Sequence, residues 1–154
     1  MNSYTISGGC ICGGIRYTVD KPAKCIIHCH CSRCRKGHGG LMTTCAFVKS
    51  RDLTIVKGSD KLTTFVYPPE VQRKFCSICG CSIIYAVKEF SDHVFYYPAT
   101  LDDGNHPGHS SGSEHHIYVN SKAEWEVFES SLPWHEEDME DENYEKDWDD
   151  WVNT

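Results

Sequence analysis

The stretch "FCSICGC", Phe75 to Cys81, holds a C-x-x-C-G knuckle: Cys76 and Cys79, with Gly80 directly after. Its counterpart is "GGCICGG", Gly8 to Gly14, where Cys10 and Cys12 flank Ile11 and Gly13 follows. A cysteine pair followed by glycine is half of a tetrahedral thiolate cage. The glycine lets the backbone curl close around a sulfur with no Cβ in the way. Cys12 and Cys76 are 64 residues apart, and closing so long a loop costs entropy that a metal bond offsets. The pair of knuckles therefore reads as a structural zinc held by Cys10, Cys12, Cys76 and Cys79. Buried apolar cysteines would explain neither the spacing nor the glycines.

Around these knuckles the chain is punctuated for strands. In "GGIRYTVDKP", Ile15, Tyr17 and Val19 alternate onto one face before Pro22 ends the run. "CIIHCHC", "TTCAFV", "LTIVKG", "KLTTFVY", "SIIYAV", "HVFYYPATL" and "HHIYVN" are further short β-rich runs, separated by Gly, Pro, Asp and Ser. No long amphipathic helix interrupts them, and "SRCRKGHGG" offers one helical turn closed by glycines. The fold class is mainly β. "LDDGNHPGHSSGSE" (101–114) reads as a long polar loop of the kind that is often functional or mobile.

Composition narrows the function classes. The chain has 154 residues, 40% of them hydrophobic, enough for one domain with a real core. No apolar run reaches the roughly 18 residues of a membrane-spanning helix, and the N-terminus reads as carrying no signal peptide. Ten cysteines in such a chain point to metal or reactive thiols rather than disulfides, and the expected location is cytoplasmic. The net charge of −7 is unevenly spread: residues 136–154 hold ten of the 22 acidic residues against Lys146 alone. The rest is nearly neutral, too weak a field for a nucleic-acid partner. Homo-oligomer formation is compatible with the sequence. The expected organisation is a zinc-binding domain over 1–135 and an acidic tail over 136–154. In the tail, Tyr144, Trp148 and Trp151 share one helical face, which predicts a short docking helix.

A second constellation is "CHCSRCRKGHGG", Cys29 to Gly40. Cys29, Cys31 and Cys34, in C-x-C-x-x-C spacing, can grip one face of a metal ion. Cys25, His28, His30, His38 and Cys45 are all candidates for a fourth ligand. Three thiolates overcompensate a zinc ion's charge and make it a poor generator of hydroxide, but suit it to an incoming thiol. Arg33, Arg35 and Lys36 are placed to attract an anionic thiol. Cys25 and Cys81 are expected to fill core volume.

"GGCICGGIRYTV", "CHCSRCRKGHGG", "RKFCSICGCSI", "TLDDG" and "HHIYVNSKAEWEVFESSLPWH" occur in that order. This series resembles the glutathione-dependent formaldehyde-activating enzyme (GFA) family, which takes in centromere protein V-like zinc proteins, from about Gly8 to Pro133. The resemblance implies a β-tent of several antiparallel sheets and two zinc ions. One would be structural, at Cys10, Cys12, Cys76 and Cys79; the other catalytic, at Cys29, Cys31 and Cys34. It also implies a carbon–sulfur lyase of the S-(hydroxymethyl)glutathione synthase type, joining glutathione to an aldehyde. His30, His38 or a water would then protonate the product oxygen. The other readings are a non-catalytic zinc-stabilised binding module and a GFA-like enzyme with a different small-molecule substrate.

Overall fold

The computed structural model describes residues 4–67 and 71–139. Its strands are β1 (Ile6–Gly9), β2 (Arg16–Val19), β3 (Ile26–Cys29), β4 (Thr43–Lys49) and β5 (Leu53–Lys57). They continue as β6 (Leu62–Tyr67), β7 (Val71–Cys76), β8 (Ser82–Val87), β9 (His93–Tyr96) and β10 (Glu114–Ile117). One α-helix, α1 (Ser32–His38), follows β3. The protein is mainly β, as the run of short alternating segments predicts. No helix among the described residues is long and apolar enough to cross a membrane.

The chain divides into two compact units, residues 1–23 with 46–108 and residues 24–45 with 109–154. In the first, β1, β2 and β5 form an antiparallel sheet in the order β1-β2-β5. A second antiparallel run follows the order β4-β9-β8-β7-β6. Ile15, Tyr17 and Val19 are wholly buried, as their alternation predicts, together with Tyr96, Ile83 and Val48. Burying each such side chain stabilises the fold by about 2 kcal/mol. The Tyr17 hydroxyl is not left unpaired by this, since it meets Thr100 Oγ1 at 2.8 Å.

The polar loop after Leu101 is ordered by its first residues. The Asp102 carboxylate accepts from the Arg16 guanidinium, with one bond at 2.8 Å, and from the Ser7 hydroxyl at 2.6 Å. Asn105 Oδ1 accepts the Ser7 backbone N–H at 3.1 Å, and the Tyr4 hydroxyl donates to the His106 carbonyl at 2.8 Å. "TLDDG" is thus a structural fastening of β1 and β2.

In the second unit β3 and β10 run parallel, with His28 opposite His116 and Cys29 opposite Ile117. A parallel pair needs a long connection, and the chain between Cys29 and Glu114 supplies it. Among the described residues, those beyond Ser121 form no helix or named strand, yet residues 133–135 line up beside β10. The His116 N–H donates to the Pro133 carbonyl and the His135 N–H to the His116 carbonyl, each at 2.9 Å. The predicted helix carrying Tyr144, Trp148 and Trp151 lies outside the described residues.

Candidate metal centres

The first cysteine group is built by two tight turns. Cys10 follows β1, and its carbonyl accepts the Gly13 N–H at 2.9 Å. Cys76 ends β7, and its carbonyl accepts the Gly80 N–H at 2.8 Å. Gly13 and Gly80 both adopt left-handed backbone, at φ 68° and 74°; they serve through that φ and not by sparing a Cβ clash, since an added Cβ would meet nothing within 4 Å. The sulfurs of Cys10, Cys12, Cys76 and Cys79 all lie within 4.8 Å of one another. Cys10 Sγ is 3.5 Å from Cys12 Sγ, and Cys12 Sγ is 3.8 Å from Cys76 Sγ. Four sulfurs about 2.3 Å from a tetrahedral zinc sit about 3.8 Å apart, so the set fits that ion. Backbone N–H groups of Cys12 and then Cys81 draw the Cys79 thiol down to about 6, favouring the thiolate that a metal takes.

The second group sits where a strand meets a helix. Cys29 closes β3 and is buried; Cys31 is the N-cap of α1; Cys34 lies in its first turn. The Cys31 sulfur accepts the Cys34 N–H at 3.4 Å, replacing the usual hydroxyl or carboxylate of a helix cap. The three sulfurs fall within 4.8 Å of one another. The thiols of Cys29 and then Cys34 hydrogen-bond to Cys31 and draw it down to about 2, while the same sharing pushes Cys29 far up. One negative charge is thus already favoured on the trio, a donor set suited to a thiophilic cation.

Among the described residues no histidine, carboxylate or further cysteine joins this trio within 4.8 Å. Cys25 and Cys45 are buried in the fold and belong to neither group. The Cys81 thiol, pushed up by burial, points its weak donor at the Ser82 carbonyl, 3.7 Å away. His28 is bound on both sides, Nδ1 to Thr44 Oγ1 at 2.8 Å and Nε2 to Glu114 Oε1 at 2.7 Å. That contact holds the Glu114 carboxyl below its ordinary range. Arg35 fastens the knuckle, donating Nε–H to the His30 carbonyl at 3.2 Å and Nη2–H to the Ser121 carbonyl at 3.0 Å. Arg33 and Lys36 are exposed.

The least expected feature is a buried polar chain centred on His30, the residue between two of the cysteines. Its side chain is fully buried. Nδ1 meets Glu126 Oε2 at 3.3 Å, and Nε2 meets His116 Nδ1 at 2.9 Å. His116 Nε2 in turn meets Ser130 Oγ at 3.0 Å. Burial first, and then the neighbouring His28 and His30, push His116 down to about 4, so it is neutral near pH 7. Phe128 stands edge-on to both rings, at 5.2 Å from His30 and 5.0 Å from His116. Glu126, His116 and Ser130 were invisible as site residues in the sequence. The sequence pointed the other way: alternation in "EWEVF" would turn apolar Trp125 and Val127 inward, yet they are 77% and 86% exposed, while Glu126 and Phe128 turn inward. That period of two places an acid on the buried face.

A model of the family described as glutathione-dependent formaldehyde-activating enzyme matches residues 5–121, spanning β1 to the end of β10 and both cysteine groups. The chain belongs to the GFA family. The crystal structure of a Rhodobacter sphaeroides protein is similar in fold, with a TM-score of 0.58 at 20% identity. That likeness covers 84% of this chain and 100% of the other. The GFA match ends before Glu126 and Ser130, so the partners that hold His30 and His116 lie beyond the matched region.

Proposed function

We propose that Cys29, Cys31 and Cys34 hold a zinc ion that takes a substrate thiol, and that the protein joins this thiol to an aldehyde. Glutathione and formaldehyde are the pair to test, which makes the activity that of an S-(hydroxymethyl)glutathione synthase-type carbon–sulfur lyase. Cys10, Cys12, Cys76 and Cys79 would hold the second, structural zinc. The observation that carries this reading is the trio with no fourth His, Cys, Asp or Glu ligand atom grouped with it among the described residues, in a family named for formaldehyde activation. A purely structural module would be expected to close its second cluster with four side chains, as the first is composed.

Zinc held by three thiolates would keep an incoming thiol deprotonated at neutral pH. The chain's own part is to fix the trio. The Cys34 N–H holds the Cys31 sulfur, and Arg35 ties the His30 and Ser121 carbonyls together behind it. His30 is unsuited to be the proton donor, because it is fully buried and both ring nitrogens face protein partners. In the reaction the thiol sulfur bonds the aldehyde carbon, and the carbonyl oxygen ends with one proton. Holding the two reactants together contributes as well, by making a bimolecular step effectively intramolecular. The thiol-rich composition suits a reducing, cytoplasmic setting.

The decisive experiment follows adduct formation from glutathione and formaldehyde by NMR exchange with the zinc-loaded protein. Acceleration over the spontaneous reaction, abolished in Cys31→Ser with the fold intact, is the expected result. A wild-type rate equal to the spontaneous one would remove the named activity.

A further inference from the structure

Tyr118 is the sole non-glycine residue with positive φ among the described residues, at φ 56° and ψ 39°. Left-handed backbone is costly for a bulky L side chain and is normally left to Gly, Asn or Asp. Either Gly or Asn would make this turn with less strain. Strain held in place by the surroundings is a recurrent mark of a functional residue. Here the surroundings hold it firmly: the Tyr118 N–H donates to the Glu137 carbonyl at 2.8 Å, and its own carbonyl accepts the Ser121 N–H at 3.0 Å.

The turn stands beside the three-cysteine group. Tyr118 directly follows Ile117, whose Cα partner across the parallel pair is Cys29. The Ile117 carbonyl accepts the N–H of His30, between Cys29 and Cys31. The phenol is half-buried. Its hydroxyl has one long contact, to Asp138 Oδ2 at 3.5 Å, the outer limit of a hydrogen bond. Burial first, then Asp138 and the sulfurs of Cys29 and Cys31, push it up to about 12. The phenol carries its proton at neutral pH and stands on the turn that follows the strand partner of Cys29. His30 and His116, by contrast, have both ring nitrogens in the buried chain.

We propose that the Tyr118 hydroxyl is a catalytic residue, donating a hydrogen bond to the aldehyde oxygen as it becomes an alkoxide next to Cys29, Cys31 and Cys34. This rests on the thiol-addition reading above and names its oxyanion donor. In the addition, the sulfur lone pair forms the carbon–sulfur bond and the carbonyl π pair moves onto oxygen. The proton lost from the thiol is matched by one gained at that oxygen, so nothing is oxidised or reduced. A neutral donor aimed at developing negative charge lowers the barrier most in a site that excludes water.

Tyr118→Phe removes the hydroxyl and leaves the ring and the backbone strain as they are. The expected result is a kcat reduced at least tenfold, with thermal midpoint and zinc content unchanged. A variant within twofold of wild type overturns the proposal. A second readout does not depend on turnover: zinc-loaded protein with 13Cζ-labelled tyrosine, the Tyr118 signal assigned by its loss in Tyr118→Phe. That signal should shift with glutathione pre-equilibrated with formaldehyde, which carries the hydroxymethyl group, and not with S-methylglutathione, which lacks it. No shift, or equal shifts with both, overturns the assignment. If the wild type fails to accelerate the reaction, the thiol-addition reading falls, and the NMR comparison alone decides whether Tyr118 contacts the hydroxymethyl oxygen.

Discussion

At the scale of single residues, a fully buried histidine lies between two members of the second cysteine group. His30 is enclosed between Glu126 and His116, and the Glu126 side chain is itself only 6% exposed. A buried polar atom stripped of its partner costs about 1–3 kcal/mol. Glu126→Ala strips His30 Nδ1 and loosens the residue between Cys29 and Cys31; partners of the ligands themselves change metal affinity about 10–100-fold, and Glu126, one residue further out, belongs at the lower end. Chelator competition should therefore show about tenfold weaker retention of the metal at Cys29, Cys31 and Cys34. Retention at Cys10, Cys12, Cys76 and Cys79 should not change; equal loss at both groups would show that Glu126 only supports the fold. Glycine makes a cleaner single-residue test at the first group. A Cβ on Gly80 would meet nothing within 4 Å, so Gly80→Ala bears only the cost of left-handed backbone, about 1–2 kcal/mol by denaturant titration. At Gly8 an added Cβ would come within 2.6 Å of the Thr100 carbonyl oxygen and the Tyr17 ring. Gly8→Ala should be the more damaging of the two.

At the scale of elements, the fastening of the 101–114 loop to β1 and β2 gives a pH signature. Arg16 first, and then Ser7, hold the Asp102 carboxyl down from its ordinary 3.8 to about 2. A carboxyl more acidic in the folded state stabilises the fold above its ordinary pKa, and that contribution is lost as pH falls through the folded value. Between about pH 4 and pH 2 the wild type should thus lose stability that Asp102→Asn has already lost. The two acid-denaturation curves should converge toward pH 2, and parallel curves would mean that Asp102 and Arg16 are screened from each other. This fastening was not foreseen, because "TLDDG" shows acids but not the arginine they meet 86 residues away. Strands were legible where burial alternates, as at Ile15, Tyr17 and Val19. β7 was not, because Arg73 and Lys74 break its apolar pattern; Arg73 lies over the Tyr67 and Tyr85 rings, 5.5 Å and 5.7 Å from their centroids. The three-cysteine group could be read because its spacing is local, and the four-cysteine group because each half is a local pair followed by glycine. The His30 chain could not, since Glu126 lies 96 residues from it.

At the scale of the whole molecule, each cysteine group lies inside one compact unit. Cys10, Cys12, Cys76 and Cys79 fall in residues 1–23 and 46–108, and Cys29, Cys31 and Cys34 in residues 24–45. With a metal proposed at each group, the energetics of losing it should differ between the two for that reason. A structural four-thiolate zinc contributes about 10–16 kcal/mol of apparent binding free energy, comparable to or larger than the roughly 5–15 kcal/mol that holds a domain folded. The first group joins the turn after β1 to the turn after β7, and its removal leaves four thiols crowded within 4.8 Å. Cys10 and Cys79 are drawn down while Cys12 is pushed up to about 11, so the metal-free thiols share their protons unevenly. The second group instead caps a seven-residue helix, and β3 and β10 remain paired by backbone bonds without it. Graded chelation followed by hydrogen exchange should therefore give two separate responses. Metal loss from the trio should remove thiol binding while amides of β3 and β10 stay protected. Loss from the four-cysteine group should open β1, β2, β7 and β8 together. Protection lost in both units at one chelator concentration would show instead that the two centres stabilise the protein as a single cooperative body.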